Sequence, residues 1–583
     1  MTSTIPHVDP ALPGLSIAQA TRAEPFLLEG DRVRFAGHQT RSGGQVLFRS
    51  PAGTADMTAG LRAEGLGHAA NLVLYPGVAR RDFTGPRGSM VETVVTPRTL
   101  PFLAWQLSGA ALEETEVRID IATPTTHPTV EPTSSGVVVR SKDVVLHLAL
   151  VPDPVALEVT DSDGGILVTA RLTGDTPSTV VLASGTKEEV VSAQRAALHL
   201  GAHAVAAARA EDDVLRTHTG VDAVDDGLSW ALTRARTLII ERPSAALSLG
   251  LAATSMGHGE VAARAVASLR ASTSTLVDAG LLAARIGSTM GDVGPAADLA
   301  ERILARADSL ESDLLGLSAR SLADALQYGA SPDTLMSLRT LGSRASSPVA
   351  TSRPSTGGIS LPMAGASTGP DAPTPGRATW LEGLLSGDAG EPCVVEDVRA
   401  SRARRAASAF RSDPDRAWAD WRALMDEGLA QGVAGPGTWD DLYDLQTDRG
   451  AGGDRPAATA EVLLAFVHGM LGLSPDAPVG RLRLAPRMPT HLTSFVTAGI
   501  PIGDGTIRLT YERAGNTVRY SLEPERIGVP PLLVFEPSVP GSVRSIEVDG
   551  EGAELDLRTD AGQTVVPVQL PLDNVRTLGF TID

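Results

Sequence analysis

A chain of 583 residues with 42% hydrophobic content can bury a large core, and its length suggests roughly two to four domains. The formal net charge is −19, the only lysines are Lys142 and Lys187, and arginine supplies nearly all the positive charge. A chain this acidic, with no basic run, is a poor partner for phosphate backbones or anionic lipid, so neither nucleic acid nor membrane is expected.

Cys393 is the only cysteine, which excludes an intrachain disulfide and a cysteine metal cluster. The opening MTSTIPHVDPALPGLSIAQA has neither a basic start nor a continuous apolar core, and no apolar run is long enough to span a bilayer. The expectation is a soluble cytoplasmic protein of unspecified oligomeric state.

From residue 24 to about 205 the chain reads as strands. FLLEGDRVRFAG, GQVLFRS, ANLVLYPGV, LPFLAWQLSG, EVRIDIATP and DVVLHLALV are β-branched-rich, often alternating, and punctuated by Gly, Pro, Asp or Ser. This spacing predicts an antiparallel β-sandwich over 1–205. DSDGG at Asp161 is a hairpin signal, because Asp-Gly supplies the positive φ of a tight turn.

From 206 to 478 the period becomes helical. DDGLSWALTRARTLII, SAALSLGLAATSMG, GEVAARAVASLRA, LVDAGLLAARIGSTMG, PAADLAERILARA and ESDLLGLSARSLADALQYG follow with short connections and apolar residues three and four apart. The pattern is a train of αα-hairpins without a strict repeat, which favours a closed toroid over a solenoid. SAALSLGLAATSMG, LVDAGLLAARIG and LLGLSARSLADAL are the most apolar, so they are expected as inner helices two, four and six. Ser, Pro and Gly dominate 343–377, predicted as a flexible loop. Helical pattern returns in ATWLEGLLSG, VRASRARRAASAF, DRAWADWRALMDEGLAQG and AATAEVLLAFVHGMLGL.

Strands such as RLRLAP, TIRLTYER, TVRYSLEP and PPLLVFEP resume over 479–583, a small C-terminal β-domain. A P-loop, a dinucleotide fingerprint, a zinc helix and an EF-hand are all absent from the sequence, so no cofactor or metal is expected. The histidines of GHGE (His258) and VHGM (His468) read as packing residues.

Three stretches carry a resemblance. VETVVTPRTLPFLAWQLSG at Val91, GTWDDLYD at Gly437, and AEVLLAFVHGMLGLSPDAPVGRLRLAPRMPTHLTSFVTAGIPI from Ala460 resemble the six-hairpin glycosidase superfamily, the (α/α)6 toroids that include glucoamylases, amylo-α-1,6-glucosidases and sugar phosphorylases. The resemblance implies a β-sandwich, a toroid and a C-terminal β-domain in that order. It also implies inverting hydrolysis of an α-linked oligosaccharide or glycoconjugate by two carboxyl groups at the toroid mouth. The alternative is a catalytically degenerate six-hairpin protein that binds carbohydrate or a protein partner.

In residue terms, Asp308-Ser-Leu-Glu311 resembles the glucoamylase Asp-x-Trp-Glu pattern, with Leu310 in place of Trp, which makes Glu311 the expected general acid. Asp441 stands where GTWDDLYD matches the family's Glu, the expected general base, one methylene short. Trp439 and Tyr443 flank it as faces for sugar rings, while Arg242 and Asp278 fall where the family holds substrate hydroxyls. Each has a plainer reading: Asp308 or Ser309 caps helix six, Asp278 caps helix four, and the aspartates of GTWDDLYD form a solvated turn. Pro243 stands where the family often has Asp, and the last helix opens Ala457-Ala458-Thr459 without the family's Trp; both departures favour the degenerate alternative.

Overall fold

The structure is a computed structural model. It describes most of 15–345, 398–431 and 440–583, together with Leu381; the gaps that bear on the expected site are 242–244, 311–313, 432–439 and 445–448. The chain divides into two compact units, Met1–Glu241 with Arg422–Arg455, and Arg242–Trp421 with Pro456–Asp583.

The first unit is built on two sheets. Nine strands run in the order Leu15–Ala18, Ala69–Tyr75, Val78–Gly85, Gly88–Val95, Phe102–Gly109, Ser178–Gly185, Val144–Val151, Gly136–Ser141 and Thr129–Pro132. Seven run in the order Ala156–Ser162, Gly165–Arg171, Glu116–Ala122, Ala55–Ala63, Arg41–Arg49, Val33–His38 and Pro25–Glu29. The strands within each sheet pair antiparallel. Strands of the second sheet alternate buried and more exposed residues, as in Val33–His38 and Glu116–Ala122, which is the signature of one covered face.

The nine-stranded sheet differs at its centre, where Phe102–Leu107 is buried without alternation. The cause is a helix, α1 (Lys187–Leu200), whose Val190 and Ala193 pack against Val78, Val95, Phe102 and Val181. This helix falls inside the region read from sequence as strands. KEEVVSAQRAALHL does carry the signals of a helix start: Thr186 Oγ1 accepts from Glu189 N at 3.3 Å, and Glu189 Oε2 accepts from Thr186 N at 2.8 Å, a capping box. The unit also contains α2 (Asp222–Glu241).

The second unit holds α3 (Ala246–Ser255), α4 (Gly259–Leu269), α5 (Leu276–Met290), α6 (Gly294–Leu304), α7 (Leu315–Ala325), α8 (Pro332–Ala345) and α9 (Val398–Ala409). α10 (Pro414–Gln431) begins in it, and α11 (Pro456–Leu464) runs on through a π-helical turn, Ala465–Met470. Two kinds of helix alternate. Every residue of α3 except Ser248 is buried, as is all of α5 except Asp278, Ser288 and Met290. By contrast α4 buries only the stripe Val261, Ala262, Ala265, Val266 and Leu269, and α6 only Ala296, Leu299, Ala300 and Ile303. A helix apolar all round must be surrounded, whereas a striped one needs a single neighbour layer. Accordingly α9, α11, α3, α5 and α7 pack successively as an inner layer, with α4, α6 and α8 outside. The expected assignment of the second, fourth and sixth helices to the inside agrees with this arrangement. The helix expected at ATWLEGLLSG and residues 346–377 of the loop expected over 343–377 lie outside the described residues, Leu381 excepted; residues 343–345 are instead the last of α8, where the helical pattern of SPDTLMSLRTLG runs on.

The C-terminal strands complete this unit. Ser494–Ile502, Gly505–Ala514, Thr517–Arg526, Arg576–Ile582 and Val543–Val548 form an antiparallel run. Its core is aromatic: Tyr511 and Tyr520 face each other across two strands with rings 5.1 Å apart, and Tyr520 meets the edge of Phe535 at 5.2 Å. The architecture is therefore an N-terminal antiparallel sandwich, a central helical toroid-type layer, and a C-terminal β-region. Among the described residues no helix is long and apolar enough to cross a membrane.

Candidate active site

Side-chain contacts fix the direction of the inner helices. Ser318, in the first turn of α7, donates from Oγ to the carbonyl of Val277 in the first turn of α5, at 3.0 Å. Ser255, the last residue of α3, meets His468 beyond the end of α11 at 2.9 Å. Gly469 lies against Ala407 near the end of α9. Starts meet starts and ends meet ends, so the inner helices run parallel and their N-termini share one rim.

Among the described residues no side chain caps the starts of α3, α5 and α7 at that rim. The residues preceding α3 and α7 are Ala245 and Leu314, which offer no acceptor. Thr275 precedes α5, but its hydroxyl turns away to donate to the Leu269 carbonyl at 2.5 Å. Of the outer helices, α8 has a side-chain cap, with Ser331 Oγ accepting from Thr334 N at 3.1 Å, whereas α4 and α6 begin without one. Uncapped N–H groups at the positive end of several helix dipoles form a natural cradle for hydroxyl-rich or anionic ligands.

Of the expected site residues, one is described at this rim. Asp278 sits at the rim, half-exposed, in the first turn of α5. Arg242 and Glu311 each precede an inner helix by four residues, α3 at Ala246 and α7 at Leu315, but lie outside the described residues, as does Trp439. The expected cap of helix six is not formed. Asp308 and Ser309 belong to a separate 3₁₀ turn, Ser309 Oγ donates back to the Arg306 carbonyl at 2.9 Å, and α7 starts only after Leu314.

Asp441 and Tyr443 lie in a strand, Asp440–Asp444, paired antiparallel with Arg449–Asp454, where a turn or loop was expected. The glycines of the partner strand, Gly450, Gly452 and Gly453, carry loop propensity, which hides the ribbon from a sequence reading. The register shifts between Asp440 and Leu442, so Asp441 falls at an irregularity of the ladder, a type of position common beside functional sites. Among the described residues no group of three or more His, Cys, Asp or Glu side chains is placed to hold a metal ion.

No protein-family model and no curated protein matches the sequence. Solved structures do match in shape. A putative kojibiose phosphorylase from human microbiome aligns over 98% of this chain and 100% of its own, with a TM-score of 0.50 at 8% identity. The chain has the six-hairpin glycosidase-like fold. A bacterial glucoamylase complexed with acarbose aligns over 80% of this chain and 96% of its own, TM-score 0.48, identity 10%. A family GH92 α-mannosidase from Bacteroides thetaiotaomicron, in complex with mannoimidazole, covers 93% and 86%, TM-score 0.39, identity 8%.

The six-hairpin layer is sealed at the end opposite its rim by a polar cluster that sequence reasoning missed. His468 is fully buried; its Nδ1–H donates to the Leu473 carbonyl at 2.9 Å, leaving Nε2 to accept from Ser255 Oγ. Burial, aided by the nearby Arg285 cation, holds its pKa down at about 3, so the ring is neutral. Arg285 is itself buried in the last turns of α5, and desolvation lowers its pKa to about 10. Its Nε and Nη2 have no hydrogen-bond partner among the described residues. The packing role expected for His468 is the one it has. Its neighbour Arg285 gave no signal, because in sequence it is one arginine among many on an apolar helix.

Proposed function

We propose that the chain acts on α-linked oligosaccharides or glycoconjugates by inverting hydrolysis, at the rim where the inner helices begin. The observation that carries this reading is the parallel inner layer with its N-termini on one rim, those of α3, α5 and α7 without a side-chain cap among the described residues, in a chain whose fold is six-hairpin glycosidase-like. In the proposed mechanism Glu311 is the general acid and protonates the leaving oxygen, while Asp441 is the general base and activates water on the opposite face of the sugar. Arg242 and Asp278 would hold substrate hydroxyls, and Trp439 and Tyr443 would stack on sugar rings. The two missing family residues, at Pro243 and Ala458, favour a second reading: a degenerate relative that binds carbohydrate or a protein partner without cleaving it.

A panel of α-linked glycosides separates the two. For the enzyme, turnover with inversion at the anomeric carbon is expected, falling about 10²–10⁴-fold in Asp441→Asn and in Glu311→Gln. Binding by calorimetry without turnover on any substrate supports the second reading. Turnover unchanged in both variants removes both residues from the mechanism.

A further inference from the structure

Within the second unit, away from the rim, a small open cleft with about 20 Å³ of water-accessible space is lined by Arg411, Arg483, Arg487 and Arg558, by Glu536 and Asp560, and by Ser538. Its walls come from the turn after α9, the strand Arg481–Leu484, and the three-stranded sheet Ser538–Pro540, Gln563–Val565 and Arg558–Asp560. Four guanidinium groups face two carboxylates, a formal excess of two positive charges in a chain whose net charge is −19.

Both carboxylates are already engaged. Asp560 takes Arg411 as a bidentate partner, with Nε–Oδ2 at 2.9 Å and Nη2–Oδ1 at 2.6 Å. Glu536 is shared, accepting from Arg483 Nε on Oε2 and from Arg558 Nη2 on Oε1, each at 2.7 Å. Arg487 is buried and directs Nη1 to the Gly469 carbonyl at 3.2 Å. The Arg411 hydrogen bond holds the Asp560 carboxyl below its usual range, and the charges of Arg487 and Arg558 add to the effect, so all three cations act on one small volume. Ser538 supplies an independent sign of a missing ligand. It is 7% exposed, it lines the cavity, and its Oγ has no hydrogen-bond partner among the described residues. A buried hydroxyl left unpaired beside excess arginine matches the needs of an oxyanion, which guanidinium forks bind through paired N–H groups.

We propose that this cavity binds a small oxyanion of the phosphate class, either free or as the phosphate of a phosphorylated sugar. The site does not depend on the proposed glycoside activity.

The test is calorimetric titration of the full chain with inorganic phosphate, repeated with glucose 1-phosphate. Saturable binding is expected, weaker at higher salt. Arg558→Gln should weaken it about tenfold, and Glu536→Gln should tighten it, because that change removes the negative charge shared by two arginines. A merely structural role for Glu536 would not tighten binding, so the pair remains informative even if Arg558→Gln loses stability. Equal affinity for the two ligands identifies the free anion as the source; much tighter binding of glucose 1-phosphate identifies the sugar phosphate. No saturable binding of either at about 10 mM, or equal phosphate affinity in wild type, Arg558→Gln and Glu536→Gln, overturns the proposal.

Discussion

Arg81 and Glu92 face each other across neighbouring strands of the nine-stranded sheet, Nε to Oε2 2.5 Å, with 1% and 0% of their side chains exposed. The rest of each group is tied to one hairpin of the other sheet. Arg81 donates to the carbonyls of His38 at 2.5 Å, of Gly43 at 2.9 Å, and of Arg41; Glu92 Oε1 accepts from Gly43 N at 2.7 Å and Ser42 Oγ at 3.0 Å. Trp105 Nε1 donates to the same oxygen at 2.7 Å. The pair therefore joins the two layers of the sandwich through a desolvated core.

Removing one partner should cost far more than removing both. Glu92→Leu leaves the Arg81 guanidinium buried without its counter-charge, and a loss of about 3–5 kcal/mol is expected in urea unfolding. Adding Arg81→Met should recover most of that loss, since two apolar residues need no pairing. A double variant as unstable as the single would show that the hydrogen bonds to the hairpin, rather than the charge balance, hold the layers.

Periodicity exposed the large-scale order of this chain because burial acts on it directly. LVDAGLLAARIG is apolar all round and is inner; PAADLAERIL is striped and is outer. Polar contacts were not legible in the same way. Arg81 and Glu92 become partners only through strand register, and His468 meets Ser255 across 213 residues of sequence. The ribbon at Asp440–Asp444 was hidden for another reason: its partner strand is glycine-rich, and a one-residue change in register leaves no trace in composition. The start of α7 was misplaced because Asp308 and Ser309 have capping chemistry, yet Ser309 spends its hydroxyl on the preceding turn.

His468 makes stability depend on pH. Its folded pKa of about 3 lies below the ordinary value of 6.5, so between these limits the unfolded chain binds a proton that the folded one refuses. Stability is thus full above pH 6.5 and falls as the pH drops toward 3, by about 2 kcal/mol at pH 5 from this group alone. His468→Gln should flatten that part of the urea midpoint against pH. An unchanged slope would mean that the ring is protonated in the folded state.

Arg285 is the converse case, a buried cation with no carboxylate partner among the described residues. Arg285→Met keeps the length of the stem and removes the desolvated charge, so stability should be unchanged or rise by up to about 3 kcal/mol. Because Arg285 is the second cause of the low His468 pKa, the same substitution should move the histidine titration upward and shrink the acid loss described above. A loss of more than about 2 kcal/mol would instead show that the guanidinium is satisfied in the folded state.

Gly469 tests whether the inner helices are as close as their contacts require. A methyl group there would stand 2.8 Å from Ala407 Cα and 3.0 Å from its carbonyl oxygen, and backbone atoms cannot step aside as a flexible side chain can. Alanine favours a helix over glycine by about 1 kcal/mol, so in open space Gly469→Ala would stabilise. Here overpacking should win, giving a net loss of about 1–2 kcal/mol. Gly329→Ala is the control, because nothing lies within 4 Å of the added carbon, and it should change stability little. If Gly469→Ala stabilises the chain, α9 and the end of α11 are not in backbone contact, and the parallel arrangement that places their N-termini on the common rim loses one of its three supports.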